Sequence, residues 1–210
     1  TNVNITITGE EAGTKTISQL GSDIDAQEAD EMFGNSTAIS SDGSIIAVGA
    51  FGHDGAGGSN SGTVRIYQYS SGSWNQLGSD IDGDQKNERS SRYTGLSLSE
   101  DGLTVAIGSY QGATASAGHV RVYSYSEGSW NKVGADIDGE AASDNSGRAV
   151  SLSADGTIVA IGASNNDGGG DNAGHVRVYQ LSEGAWVQLG ADIDGEAASD
   201  NSGYSVALSD

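Results

Sequence analysis

The side chains best suited to chemistry lie in an acidic segment that occurs twice in the chain, here called the acidic phrase. GADIDGEAASDNSG stands at 134–147 and returns at 190–203. Calcium takes roughly six to eight oxygen ligands, and carboxylates supply them well. One interpretation of the phrase is therefore a calcium site. Its candidate ligands are Asp136, Asp138, Glu140, Asp144, Asp192, Asp194, Glu196 and Asp200, and Asp80, Asp82 and Asp84 from the related stretch DIDGD.

A structural role for the same carboxylates stays open beside the metal site. Asp and Asn side chains accept hydrogen bonds from backbone amides in turns. An arginine recurs at Arg65, Arg121 and Arg177, and a partly buried guanidinium needs a carboxylate partner. The phrase also departs from the EF-hand pattern, which needs a Gly at its sixth position and a Glu at its twelfth. We therefore interpret it either as a calcium site or as a connector between repeated units.

Residues suited to catalysis are few. The chain has no Cys and three His, so thiol chemistry is excluded and a transition-metal site is not expected. His119 and His175 occupy one repeated position, which favours packing, and His53 stands alone in a loop. No P-loop or dinucleotide motif occurs, and paired carboxylates are abundant simply because the chain is acidic. The sequence therefore predicts that the protein is not an enzyme.

A period of about 56 residues organises the chain. Three separate markers share it, so coincidence is not a serious explanation. The markers are a glycine at Gly21, Gly78, Gly134 and Gly190, a tryptophan at Trp74, Trp130 and Trp186, and the segments GTVRIY (62–67) and GHVRVY (118–123 and 174–179).

Each unit contains four short strand patterns. In the third unit they are RAVSLS (148–153), TIVAIGA (157–163), HVRVYQL (175–181) and AWVQLG (185–190). The first two are joined by Asp-Gly, which supplies the backbone angles of a tight hairpin. No stretch shows a helical period of useful length. Repeated units of four antiparallel strands predict an all-β fold, a β-propeller of four-stranded blades.

The units divide the chain into one propeller domain of about 3.75 repeats. Three arrangements stay open: a piece of a longer ring, a small four-bladed ring closed by NVNITIT (2–8), or two chains that pool their blades. The predicted parts are N-terminal strands at 1–18, repeats at 19–75, 76–131 and 132–187, and a partial repeat at 188–210.

The repeats resemble the FG-GAP family over residues 19–210. The segment 32–50 carries Phe33-Gly34 and then Val48-Gly49-Ala50, and the third unit keeps the same frame with Ser146-Gly147. The resemblance implies the seven-bladed propeller of integrin α subunits and of secreted microbial proteins, and with it an extracellular or cell-surface location. Integrin repeats hold calcium in a long loop between the first two strands. Here that junction is only Asp-Gly, so the family's calcium site is not carried over.

The net charge of the chain limits the classes of partner that are expected. The chain has 29 acidic and 9 basic residues, a formal net charge of −20. Such a surface repels phosphates and anionic headgroups, so nucleic acid and membrane surfaces are not expected partners. No stretch approaches the roughly 18 apolar residues of a membrane-spanning helix. Membrane insertion is therefore not expected.

Two features are candidate ligand-binding groups. The repeated tryptophans act either as wedges between blades or as stacking platforms for sugars. The segment DQKNERSSRY (84–93) is not repeated and is rich in basic residues, and it is either a solvated loop without a function or a recognition loop. The candidate residues are Lys86, Arg89, Arg92, Trp74, Trp130 and Trp186.

Together with the resemblance, these features predict a non-enzymatic module for binding, adhesion or scaffolding outside the cell. Its acidic face, with or without calcium, meets a protein, a glycan or neighbouring copies in a homo-oligomer. A glycan-binding lectin with sites between the blades is the alternative. A polysaccharide-active enzyme ranks below both, and no cofactor other than calcium is expected.

Overall fold

The computed structural model describes residues 6–7, 15–16, 18–110 and 117–209. Within these ranges the regular structure is all β, and no helix there is long and apolar enough to cross a membrane. The short strands β1 (Thr6–Ile7) and β2 (Lys15–Thr16) pair antiparallel with each other. The remainder of the predicted N-terminal strand 2–8 lies outside the described residues.

Three antiparallel sheets follow, here called blades 1, 2 and 3. Each has four main strands in sequence order and a short fifth strand. Blade 1 holds β3 (Phe33–Ile39), β4 (Ile45–Ala50), β5 (Thr63–Ser70), β6 (Ser73–Gln76) and β7 (Ile81–Asp82); blade 2 holds β8 (Leu96–Leu98), β9 (Thr104–Ser109), β10 (His119–Ser126), β11 (Ser129–Lys132) and β12 (Ile137–Asp138); blade 3 holds β13 (Ser146–Leu152), β14 (Ile158–Ala163), β15 (His175–Ser182), β16 (Ala185–Gln188) and β17 (Ile193–Asp194).

The outer edge of each blade is built from two pieces. In blade 2, β11 pairs with one half of β10, for example Tyr125 with Trp130. The short strand β12 returns to the other half, where Val120 pairs with Ile137. The start of the acidic phrase is therefore part of the sheet, and only the residues after it connect the blades. Accordingly, the repeat boundaries drawn at 75, 131 and 187 fall inside the outer strands.

The first hairpin of each blade has a repeated turn. In blade 1, Oδ1 of Asp42 accepts hydrogen bonds from the Ser44 N–H and from the Ser40 hydroxyl, both at 2.8 Å. The backbone hydrogen bond from Ser44 and the two serine hydroxyls lower the pKa of Asp42. Gly43 follows with a φ of 73°, a backbone angle that suits glycine. Asp101 and Asp155 repeat this arrangement.

The hydrophobic core lies between neighbouring sheets. One buried cluster joins Val120 and Val122 of blade 2 to Val159 and Ile161 of blade 3. A second joins strands of blade 1 to the β9 residues Val105 and Ile107 of blade 2 in the same way. Burying such a side chain contributes about 1.5–3 kcal/mol. The blades are therefore held together face to face, as a propeller requires.

The repeated tryptophan connects each blade to the repeat before it. The indole N–H of Trp130 donates to the Leu77 carbonyl at 2.7 Å, and Trp74 and Trp186 bond to Leu20 and Val133 in the same way. The Trp130 ring also lies 5.2 Å from the Tyr125 ring, centroid to centroid. These contacts support the wedge interpretation of the tryptophans.

We expect the substitution Trp130→Phe to lower the free energy of unfolding by about 1–2 kcal/mol, because it removes the hydrogen bond to Leu77 and some buried area. Urea unfolding measures this loss. The control is Tyr125→Phe, which keeps the ring contact and should cost less than about 0.5 kcal/mol. Equal stability of the Trp130→Phe variant and the parent chain would contradict the wedge role.

Candidate functional site

A buried charge network lies where β10 of blade 2 meets the connector that precedes this blade. Glu88 is fully buried and accepts a hydrogen bond from Arg121 Nη1 at 2.6 Å. His119 Nε2 lies 3.0 Å from the same carboxylate oxygen. Arg121 also contacts Asp136 at 3.0 Å and Asp84 at 3.1 Å. The guanidinium of Arg121 is thus paired with three carboxylates.

Burial and charge pairing shift the pKa of Glu88 in opposite directions. Burial by itself would raise the pKa of this carboxyl, but the hydrogen bond from His119 and the charge of Arg121 outweigh it and lower the pKa. For the nearby Tyr123, the charge of Arg121 offsets burial only in part, and burial raises the pKa of this hydroxyl to about 12. Glu88 is therefore an anion that holds the connector against the blade.

Blade 1 repeats the network with one change. Arg65 Nη1 lies 3.0 Å from Glu31 and its Nε 2.9 Å from Asp80. His53, from the loop after β4, places its Nδ1 3.3 Å from Glu31. The predicted pairing of the repeated Arg with the repeated Asp is therefore present in blades 1 and 2.

Blade 3 departs from this pattern. Asp144 stands where the other blades have Glu31 and Glu88, and its shorter side chain accepts hydrogen bonds from the Ala141 N–H at 3.0 Å and from Asn166 at 2.9 Å. Arg177 instead donates to the Asp138 carbonyl at 2.7 Å. Its Nε has no hydrogen-bond partner among the described residues. Among the ion pairs of the described residues, Arg177 is paired with Glu140 at 3.7 Å and not with the predicted Asp.

Most of the predicted calcium ligands are acceptors for protein donors. Asp80 and Asp136 bind the arginines above, Asp82 accepts the Ala56 N–H at 3.0 Å, and Asp200 accepts the Ala197 N–H at 2.8 Å. Glu196 is exposed. Two groups within the described ranges bring potential metal ligands together, and each includes a histidine: His53 with Asp80 and Asp82, and Glu140 with His175 and Asp192. Calcium binding by the acidic phrase stays a prediction.

Two arginines and three aromatic rings form a row on the loops and strand starts of the blades. We call Phe51, Arg92, Tyr93, Arg148 and Tyr204 the arginine–aromatic row. Along the row, the guanidinium carbon lies 4.8, 4.7, 4.0 and 4.0 Å from the successive ring centroids. Each cation is thus sandwiched between two rings, a geometry in which every contact is worth about 0.5–2 kcal/mol.

The row leaves hydrogen-bond donors available. Arg92 donates one N–H to the hydroxyl of Tyr110. The Arg148 Nε–H has no partner among the described residues but is buried, so an incoming anion would bind the terminal nitrogens of this guanidinium. Stacking covers the faces of a guanidinium and leaves its edge free to bind carboxylate or phosphate with two parallel hydrogen bonds. The arrangement can therefore hold a small anion on an otherwise acidic protein.

Of the predicted recognition loop (84–93), Arg92 and Tyr93 belong to the row, and of its candidate basic residues only Arg92 does. Lys86 is exposed, and Arg89 is half-buried with an unpartnered Nε. Sequence reasoning missed Arg148 and the aromatic residues. The available signal was that Arg148 stands 56 positions before Tyr204 in the repeat, so the position changes type between units. Trp130 and Trp186 line open grooves at the outer edge with Asp80 and Asp136.

The stacked sheets define the chain as a β-propeller, and solved structures share this fold. One, a "putative 6-phosphogluconolactonase" from Bacteroides uniformis, is 15% identical, with 92% of this chain and 48% of that chain covered and a TM-score of 0.55. The periplasmic gluconolactonase of Pseudomonas aeruginosa is 17% identical, with 90% and 55% covered and a TM-score of 0.49. The β-propeller domain of the Trilobed protease from Pyrococcus furiosus is 11% identical, with 75% and 41% covered and a TM-score of 0.46.

These likenesses concern the fold, and the chain spans about half the length of the structures it matches. No protein-family model and no curated protein matches the sequence. None of the structures compared above is described as an FG-GAP protein, so the resemblance to FG-GAP repeats stays a prediction.

The prediction of a non-enzymatic binding, adhesion or lectin module is corrected by the comparison. The Bacteroides uniformis propeller that resembles the chain is described as a putative 6-phosphogluconolactonase. The statement that the protein is not an enzyme is therefore wrong as drawn. It rested on the scarcity of Cys and His, and a site built from arginine and aromatic side chains does not depend on either.

Proposed function

We propose that the chain belongs to an enzyme that hydrolyses a sugar lactone carrying a phosphate or carboxylate group. The substrate class comes from the description of the Bacteroides uniformis structure, whose fold this chain shares. The binding residues come from the chain itself. The observation that carries the proposal is the pair of guanidiniums, Arg92 and Arg148, on either side of the Tyr93 ring.

The position of the row supports a ligand site. Its residues come from the loop after β4, from the segment before β8, from the start of β13 and from the segment after β17. A propeller brings such segments from several blades to one end. Residues that vary between the blades, as Arg148 and Tyr204 do, are free from the constraint of the repeat. The row can therefore serve one ligand rather than three equivalent ones.

The charge of the surroundings supports an anionic ligand. The chain has a formal net charge of −20, so an unpaired cation is an exception on its surface. No carboxylate is within salt-bridge distance of Arg92 or Arg148 among the described ion pairs. The aromatic ring faces stabilise these two cations without neutralising them, so their charge remains available to an incoming anion.

The row would bind and orient the substrate. In lactone hydrolysis, water adds to the carbonyl carbon and the ring C–O bond breaks, which gives a hydroxy acid. Arg92 and Arg148 would hold the phosphate and so fix the position of the lactone ring. A charge-assisted hydrogen bond contributes about 1.5–3 kcal/mol, which corresponds to roughly 10- to 100-fold in affinity.

We expect the chain to hydrolyse 6-phosphogluconolactone, and the substitution Arg148→Gln to lower kcat/KM roughly 10- to 100-fold, mainly through KM. The loss should be smaller for gluconolactone, which lacks the phosphate. The control is Lys132→Gln, which removes a cation elsewhere and creates the residue found at the equivalent Gln76 and Gln188. A folded parent chain that hydrolyses neither lactone would contradict the proposed function.

The cellular location of the protein is a second, separate proposal. The Pseudomonas aeruginosa propeller is described as periplasmic, and the resemblance to FG-GAP repeats points in the same direction. We propose that this chain works outside the cytoplasm. Fractionation of cells that express the complete protein would test it, and recovery in the cytoplasmic fraction would contradict it.

A further inference from the structure

The charge network of blade 3 contains a buried histidine whose ring nitrogens are both free. His175 is 1% exposed, and neither Nδ1 nor Nε2 has a hydrogen-bond partner among the described residues. Its Nδ1 lies 3.6 Å from Asp192 and 3.9 Å from Asp194. These distances are too long for hydrogen bonds. A buried imidazole without hydrogen-bond partners is unfavourable, because it has lost its contacts with water and gained none in the protein.

The equivalent histidine in blade 2 does have a hydrogen-bond partner. His119 makes a 3.0 Å hydrogen bond to Glu88, and Arg121 has three carboxylate partners. One difference between the blades opens the network in blade 3. Asp144 stands where blade 2 has Glu88, and its shorter side chain accepts hydrogen bonds from the Ala141 N–H and from Asn166 instead of from the histidine. One scaffold thus carries a closed network in blade 2 and an open one in blade 3.

The open network has the composition of a metal site. Potential ligand atoms of Glu140, His175 and Asp192 all lie within 4.8 Å of one another. Ligands on one ion, each about 2.1 Å away, are separated by up to about 4.2 Å. The 3.6 Å between His175 Nδ1 and Asp192 Oδ2 already fits this limit. The Glu140 side chain is 49% exposed and can close the remaining gap.

The charge of the site also suits a divalent cation. Glu140, Asp192 and Asp194 bring three negative charges, and Arg177 brings one positive charge. With His175 neutral, the local charge is about −2, which one divalent ion would balance. An imidazole nitrogen among carboxylates favours zinc or manganese over calcium, which prefers oxygen ligands.

We propose that Glu140, His175 and Asp192 form a binding site for a divalent transition-metal ion, such as zinc, between the connector and the outer edge of blade 3. Glu140 lies on the connector that leads into the blade, while the other two residues lie in the blade. The bound ion would therefore fix the connector to the blade, the role that Glu88 has in blade 2. This site is separate from the arginine–aromatic row and does not depend on the proposed function.

Calorimetric titration of the tag-free, EDTA-treated chain with zinc chloride tests the site. We expect a tight site with a dissociation constant below about 10 μM, together with a higher melting temperature. His175→Gln should abolish this binding, and Glu140→Gln, at a more exposed position, should weaken it at least about tenfold. Circular dichroism shows whether each variant is folded.

Two matched controls separate this site from the other histidines. His119→Gln changes the equivalent residue of the closed network, and His53→Gln changes the other candidate group. Both variants should retain the site. Absence of zinc binding by the parent chain would overturn the proposal. So would zinc binding that survives both His175→Gln and Glu140→Gln, or that is lost only in the His53 variant.

Discussion

The substitution Glu88→Ala is expected to lower the free energy of unfolding by about 3–5 kcal/mol, because it leaves the buried Arg121 guanidinium without its main partner. Glu88 is completely buried and lies 2.6 Å from Arg121. It also accepts hydrogen bonds from His119 and from the hydroxyl of Ser109. Its loss therefore affects several buried polar groups at once.

Urea unfolding at neutral pH measures this effect. Glu196→Ala is the matched control, because Glu196 is an exposed carboxylate of the same repeated phrase. The control should change stability by less than about 0.5 kcal/mol. A Glu88→Ala variant as stable as the control would show that the buried network does not hold the connector.

The same residue predicts a pH dependence with a definite sign. The folded protein lowers the pKa of Glu88 below its ordinary value of 4.5. Its stabilising effect is therefore present above pH 4.5 and is lost as the pH falls through the lower, folded-state pKa. Unfolding curves across the acid range should converge for the parent chain and Glu88→Ala. Curves that stay equally far apart at low pH would contradict this assignment.

The substitution Gly108→Ala is the second change with a large expected effect. A Cβ at this position of β9 would overlap the carbonyl group of Gly147 in the neighbouring blade. The obstacle is backbone, so relief requires the two blades to move apart. Gly162 stands in the same relation to Gly203. We expect the free energy of unfolding to fall by about 3 kcal/mol or more.

Gly128→Ala is the control for the loss of glycine itself. Gly128 lies in a hairpin turn with a φ of 82° and has open space where a Cβ would stand. Its substitution should therefore cost only the backbone strain, about 1–2 kcal/mol. If thermal and urea unfolding show the two variants to be equally stable, close packing of the blades at Gly108 is not a determinant of the fold.

The strands were predictable because the local signals agree with one another. TIVAIGA is apolar along nearly its whole length, as a strand covered on both faces requires, and it forms β14 (Ile158–Ala163). The Asp-Gly pairs formed the expected hairpins. The return of β17 was not predicted, because Ile193-Asp194 is too short to show an alternating pattern.

The candidate sites were harder to predict because they depend on small differences between similar units. Glu88 and Asp144 differ by one methylene group, and this decides whether the histidine of the blade has a partner. The arginine–aromatic row depends on a loop in which Arg89, Ser91 and Tyr93 all adopt positive φ angles, between 54° and 65°. Such angles are uncommon in residues other than glycine. Nothing in the composition of 84–93 indicates them.

Nuclear magnetic resonance of the arginine side chains tests the anion site most directly. The Nε–H signals of Arg92 and Arg148 are followed as 6-phosphogluconate, the product of the proposed reaction, is added to about 1 mM. Both signals should shift with a common affinity, while that of the buried Arg121 stays in place and glucose has no effect. Unmoved signals for Arg92 and Arg148, or equal shifts with glucose, would contradict an anion site at the row.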